Sequence, residues 1–234
     1  MTERPFIVAI DGPAGAGKST VSRVLAKRLG FTLVDTGAIY RSAALVAQSE
    51  GVGFEDESRL TEFLDRMRLS FRMTGDDNRV FLGGRDVSAE IRTPEISMAA
   101  SQISAKPLVR TALLPLQRRL ALAAKHGAVL EGRDIGTVVF PDADAKFFLQ
   151  ASPEIRARRR YEELFQKGVE RSMADVLADQ ARRDRDDSLR QIAPLRPAED
   201  AIVLDSSLLP VSEVVQTMER IVRERMSAAK PGPG

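Results

Sequence analysis

The sequence has no cysteine and no tryptophan, a single histidine and two tyrosines among its 234 residues. Without cysteine there are no disulfides, no thiolate nucleophile and no Cys-ligated zinc. One histidine argues against a Ser-His-Asp triad and against a multi-His metal site. That residue, His126, stands beside Gly127 in "AKHGAV" and is expected to cap the C-terminal end of a helix. No apolar run reaches the roughly 18 residues of a membrane span. The opening "MTERPFIVAI" lacks the basic start, apolar middle and small-residue cleavage site of a signal peptide, so the expected location is cytoplasmic. Charge of one sign is also missing. Lys plus Arg number 35 against 33 Asp plus Glu, a net charge of +2, so there is no global polycation, although local arginine clusters still matter. Hydrophobic residues make up 43% and charged residues 29%, ordinary values for one sizeable soluble domain.

The residues that are present alternate between strand and helix patterns. "PFIVAI" (5–10) reads as a short buried strand and "STVSRVLAKRLG" as a helix ending at Gly30. "FTLVD" (31–35) is a second strand, and "AIYRSAALVAQSEG" a second helix ending in Gly51. After a helix near 56–68, "LSFRMT", "RVFLGG" and "RDVS" form three short strand-like runs split by "GDDN" and "GG" turn signals, a small antiparallel insertion. Helices near 95–105 and 107–126 follow, the second starting at Pro107. "GAVLEGRD" and "AKFFLQ" restore the strand rhythm, and Ser152-Pro153-Glu154 opens a helix. A helix over 172–188, the strand "AIVLDSS" and a last helix from Pro210 complete the pattern, and the "KPGPG" tail is expected to be disordered. The reading is α/β, a parallel sheet with helices on both faces.

Gly12 to Ser19 matches G-x-x-x-x-G-K-[ST], with a strand before it and a helix after it. In the loop Gly12, Pro13, Ala14, Gly15, Ala16, Gly17 the glycines let the backbone curl so that N–H groups face phosphate oxygens, and the next helix adds its positive end. Lys18 reaches the β- and γ-phosphates, Ser19 holds Mg²⁺ through its hydroxyl, and Thr20 is placed for an α-phosphate contact. Such a loop specifies only a nucleoside triphosphate. It leaves a small-acceptor kinase, a GTPase-type switch or a nucleic-acid motor. The dipeptide Asn-Lys is absent, so there is no Asn-Lys-x-Asp element to read guanine. Aromatics are only 5% and basic residues are interleaved with acids, which argues against a motor's basic, stacking channel.

A kinase with a phosphorylated acceptor needs arginines around two facing anions. Three stretches supply them. "DTGAIYR" (35–41) brings Tyr40 and Arg41 to the carboxyl end of a strand, where α/β sheets bind ligands; a surface arginine on an amphipathic helix is the plain alternative. "EGRDIGTVVFPDAD" (131–144) places Arg133 and Asp134 after an apolar strand, either as a solvated loop or as an acid delivered towards the Mg²⁺ side. "QARRDRDDSLR" (180–190) puts Arg183, Asp187 and Arg190 on one helical face, while Arg182, Arg185 and Asp186 read as solvated ion pairs. Before it, Arg156, Arg159 and Arg160 share a face, and this helix pair is where a mobile, water-excluding lid belongs.

Together "DGPAGAGKST", "DTGAIYR", "EIRT", "ASQIS…VR", "GRDIGTVVFPDA" and "RRDRDDSLR…APL" resemble the bacterial cytidylate kinase family over roughly residues 6 to 225. The resemblance implies a single P-loop nucleoside monophosphate kinase domain. Its core would comprise 1–36, 106–150 and 191–228. A nucleoside-monophosphate-binding region would span 37–105 with the β insertion at about 69–92, a lid region 151–190, and a tail 229–234. It implies transfer from ATP to CMP or dCMP with Mg²⁺, by a monomer that binds neither nucleic acid polymer nor membrane; another P-loop kinase, such as a UMP/CMP or thymidylate kinase, is the alternative. It also assigns the acceptor site. Thr36, Ser101, Arg110 and Asp134 would surround cytosine, with Tyr40 in the same site. Arg41 and Arg133 would hold the CMP phosphate, Arg183 and Asp187 the sugar side, and Arg190 would lie near base and phosphate. Catalysis would fall to Lys18, Arg41, Arg133 and Asp134. Position 36 is Thr where the family often has Ser, which keeps the hydroxyl and adds a methyl. Asp134 suits cytosine's amine and opposes uracil's carbonyl.

Overall fold

The computed structural model describes residues 4–75, 77–166 and 168–229. Five parallel strands form the main sheet: β1 (Phe6–Asp11), β2 (Thr32–Asp35), β6 (Gly127–Gly132), β7 (Ala145–Gln150) and β8 (Ile202–Asp205), in the order β2-β6-β1-β7-β8. The registers Asp11↔Gly132, Asp35↔Glu131 and Gln150↔Asp205 bring the carboxyl ends of the strands to one edge of the sheet.

Side chains alternate across a strand, and β1 uses both faces. Ile7 and Ala9 join a core with Val34 and Leu130, which packs against α2 (Thr36–Ser49), α4 (Pro94–Ser104) and α5 (Pro107–Leu122). Val8 and Ile10 join the opposite core with Leu33 and Val129, against α1 (Lys18–Leu29) and α8 (Val211–Ala229). Apolar residues on both faces explain why the strands read as continuous hydrophobic runs.

The insertion is the three-stranded antiparallel sheet β3 (Leu69–Thr74), β4 (Asp77–Leu82) and β5 (Arg85–Asp86), preceded by α3 (Glu57–Asp65). Gly83 and Gly84 connect Leu82 to Arg85 with φ of 57° and 90°, a two-residue turn that requires positive φ at both positions. Leu69, Val80 and Val87 anchor the sheet in the first core.

Helix boundaries follow their caps. Asp35 accepts the Ala38 N–H, so α2 starts at Thr36, two residues earlier than its apolar pattern indicates. Thr93 accepts the Ile96 N–H ahead of Pro94 in α4, and Ser152 accepts the Ile155 N–H at the start of α6 (Pro153–Gln166). Two expectations change. His126 does not cap a helix: α5 ends at Leu122 with Ala123 as its cap, and His126 is exposed in the loop before β6. The neighbouring Gly127 serves packing instead, since a Cβ there would lie 2.5 Å from the Phe31 ring. Ala229, placed in the tail, is the last residue of α8, and residues 230–234 lie outside those described. No described helix is long and apolar enough to cross a membrane.

Candidate active site

The glycine loop joins β1 to α1. Gly12, Gly15 and Gly17 have φ of 146°, 77° and 89°, which L side chains rarely adopt. A Cβ on Gly12 would sit 2.0 Å from the Leu149 carbonyl oxygen, so the loop can press against β7 only with glycine there. Among the described residues no side chain caps α1, which leaves its first-turn N–H groups available to an anion. Lys18 is buried and donates to the Pro13 carbonyl at 2.7 Å. Burial and the nearby Arg133 charge push its ammonium well below the usual lysine range, while Glu131 and Asp11 pull the other way.

The loop's hydroxyl side faces acids at the strand ends. Ser19 donates to Glu131 Oε2 at 2.8 Å. Burial and the charge of Asp35 push the Glu131 carboxyl up to about 7, against Lys18, Ser19 and Arg41. A cleft of about 230 Å³ opens beside them, lined by Ser19, Thr20, Asp35 and Glu131 from the main sheet side and by Asp77 and Asn78 from the insertion. The Ser19 hydroxyl and the buried Glu131 carboxylate are oxygen donors of the kind a hard divalent cation takes, in a cleft also lined by Arg23 and Arg92.

Cations converge opposite the loop. Arg41 reaches Asp35 Oδ2 at 2.8 Å, and its buried Nε has no hydrogen-bond partner among the described residues. Arg133 donates to Asp187 Oδ2 at 2.9 Å, and Asp187 also pairs with Arg190. Burial works to raise the Asp187 carboxyl, but Arg133, Arg190 and Arg183 override it and hold the group below the usual carboxylate range. Arg183 still reaches solvent at its position on α7 (Met173–Ser188), yet surrounding protein and the charges of Arg133, Arg41 and Arg160 push it down to about 10. It therefore stays charged at neutral pH but is poorly compensated. Arg190 also donates to the Ser104 hydroxyl at 3.1 Å.

Beyond the arginines, Asp134 is buried and bonded to Arg110, which also donates to the Ser104 carbonyl at 3.0 Å. The Arg110 guanidinium lies 5.4 Å from the Tyr40 ring centre, and burial pushes the Tyr40 hydroxyl up to about 12. Ser101 is half-buried on α4. The Thr36 hydroxyl proton goes to the Glu131 carbonyl at 2.7 Å, so this side chain ties the end of β2 to β6.

The helix α6 arginines diverge. Arg156 is buried and donates to the Ala151 and Ala14 carbonyls at 3.0 and 3.1 Å while pairing with Asp184 at 2.6 Å, which makes it a clamp between α6, the glycine loop and α7. Arg159 holds the Ser206 carbonyl at 2.6 Å and runs close to Gly17. Arg160 pairs with Glu163 at the surface. A separate groove of about 380 Å³ between α6 and α7, lined by Tyr161 and Phe165 among others, contains none of the residues above.

Asp11, Asp35 and Glu131 have places in this site that motif reading missed. Their one available signal was an acid at the carboxyl end of an apolar strand.

A glycine-rich loop before a helix without a side-chain cap, with arginines acting on its lysine, is an arrangement found in phosphate-loop kinases. A family model described as cytidylate kinase matches residues 8–224. The cytidylate kinase of Geobacter sp. (strain M21) is 49% identical over 230 residues, with 98% of each chain covered. That of Geobacter sulfurreducens is 51% identical over 229 residues, covering 98% of this chain and 97% of the relative. Among solved structures, a gluconokinase from Sinorhizobium meliloti aligns over 97% of this chain and 99% of its own with a TM-score of 0.48 and 15% identity. The chain belongs to the cytidylate kinase family, and it is a phosphotransferase.

Proposed function

We propose that this protein transfers the γ-phosphoryl group of ATP to CMP or dCMP with Mg²⁺, giving ADP and CDP or dCDP, and works as a cytoplasmic monomer. The observation that carries the choice of acceptor is the buried Arg110–Asp134 pair beside Tyr40. Asp134 makes no other side-chain hydrogen bond among the described residues, so it has capacity to accept from cytosine's amine, while Arg110 donates to the ring acceptors. Uracil would set carbonyl against carboxylate, an opposition worth about 1–3 kcal/mol. The relatives described above give no support to a UMP/CMP or thymidylate kinase.

The loop N–H groups and Lys18 bind the triphosphate of ATP, and Arg41 and Arg133 hold the acceptor phosphate in line with it. Arg183 adds charge to the transferred group from α7. An acceptor phosphate is already ionised at neutral pH, so attack requires no general base, consistent with a site free of histidine. Ser19 and Glu131 would hold Mg²⁺, which when bound supplies neutralisation of phosphate charge. Replacing the buried lysine tests the scheme. Lys18→Ala is expected to lower turnover of ATP with CMP by about 10³-fold or more while thermal unfolding stays near that of the wild type. Near-normal turnover in a coupled ADP-release assay would contradict it.

A further inference from the structure

Asp11, the last residue of β1, takes no part in the scheme above. It is 4% exposed, and its two carboxylate oxygens accept the N–H groups of Ile135 and Gly136, each at 2.8 Å. These two residues open a wide turn, Ile135–Val139, that follows Arg133 and Asp134 directly. The turn's own hydrogen bonds begin later, from the N–H groups of Val138 and Val139 to the Asp134 carbonyl and from Phe140 to Ile135. Asp11 therefore supplies the hydrogen-bond acceptors for the first two N–H groups after the Arg133–Asp134 hook. On its other side, Asp11 leads into Gly12 and the glycine loop, and its register partner on β6 is Gly132, one residue before Arg133. One carboxylate thus stands at the junction of the donor loop and the acceptor hook. Lys18 and Asp134 are the charged groups that act on it, and the Lys146 stem passes the same turn at Gly136.

We propose that Asp11 is a positioning residue for phosphoryl transfer, fixing the Arg133–Asp134 hook relative to the glycine loop through the Ile135 and Gly136 N–H groups. The inference rests on the reading that Arg133 holds the acceptor phosphate. A carboxylate that only satisfied two amides would affect stability and both substrates alike. A positioning carboxylate acts on the acceptor and acts through Arg133.

Asp11→Asn keeps the size of the side chain but turns an amide NH₂ towards one of the two N–H groups. It is compared with wild type, Arg133→Ala and the double variant by thermal unfolding, ATP dissociation constant, and kcat and KM for CMP at saturating ATP. Asp11→Asn is expected to keep ATP affinity within about 3-fold and to lose about 10- to 100-fold in kcat/KM for CMP. In the Arg133→Ala background the same substitution should cost no more than about 2-fold. Equal losses in both backgrounds, or ATP and CMP affinities falling together, overturn the role of Asp11 alone. Unchanged kcat/KM for CMP in Arg133→Ala overturns the phosphate-holding reading and this inference with it. If Asp11→Asn does not fold, Asp11→Glu takes its place, since it keeps both acceptor oxygens but moves them by one methylene from the Ile135 and Gly136 N–H groups. It should show the same selective loss for CMP, and an unselective loss counts against the proposal.

Discussion

Asp11 shows how one buried group links stability to pH. Burial pushes its carboxyl up from 3.8 to about 6, with Asp134 adding to the rise and the Gly136 and Ile135 N–H groups and Lys18 opposing it. A folded-state value above the unfolded one means that the folded chain binds more protons between the two. The contribution is fully present below about 3.8 and is lost as pH rises through about 6. Asn at this position does not titrate. The prediction is that wild-type stability of the ligand-free protein, measured relative to Asp11→Asn by urea unfolding, declines from pH 4 to about 6 and then levels off. A difference that is flat over this window, or that grows with pH, would contradict the assignment.

At the scale of elements, α6 and α7 were expected to form a mobile lid, and the arginines of α6 have separate tasks. Arg156 joins the glycine loop to Asp184 of α7, and Gln180 of α7 donates to the Arg156 carbonyl at 3.2 Å, so this end of the helix pair is fixed to the core. Arg156→Ala would strand Asp184 and the Ala14 carbonyl. We expect a loss of about 2–4 kcal/mol in urea unfolding, with kcat falling less than stability. Full stability with a collapsed kcat would instead return Arg156 to lid duty. The same elements mark what a sequence makes legible. The glycine loop is contiguous, so its spacing and flanks sufficed to identify it. The Gly83-Gly84 turn was equally local. Ser19–Glu131 and Asp11–Ile135 join residues 112 and 124 positions apart, and no local pattern encodes such a pairing. Helical spacing also grouped Arg156, Arg159 and Arg160, because separations of three and four give a shared face but not what that face meets.

At the scale of the molecule, the parallel sheet explains why distant motifs meet. The order β2-β6-β1-β7-β8 sets the end of β1, with the glycine loop, beside the end of β6, with Arg133 and Asp134, and sets β2, with Arg41 just beyond it, on the far side of β6. Strand alternation announced a parallel sheet, but strand order depends on long-range packing that the pattern does not contain. The insertion adds Asp77 and Asn78 to the cleft beside Ser19, so it reaches the end of the glycine loop. The glycine loop and the arginines of α2, α7 and the segment after β6 are therefore parts of one charged centre, with Lys18, Arg41, Arg133 and Arg183 acting on one another's charge directly or through a shared neighbour. The most direct test of this account is the rate of ADP release from ATP and Mg²⁺ with AMP, GMP, UMP, dTMP, CMP or dCMP as acceptor. The account predicts that CMP and dCMP exceed the others by about 10-fold or more, with little release when no acceptor is present. Comparable rates for UMP and CMP, or ATP hydrolysis without any acceptor, would contradict it.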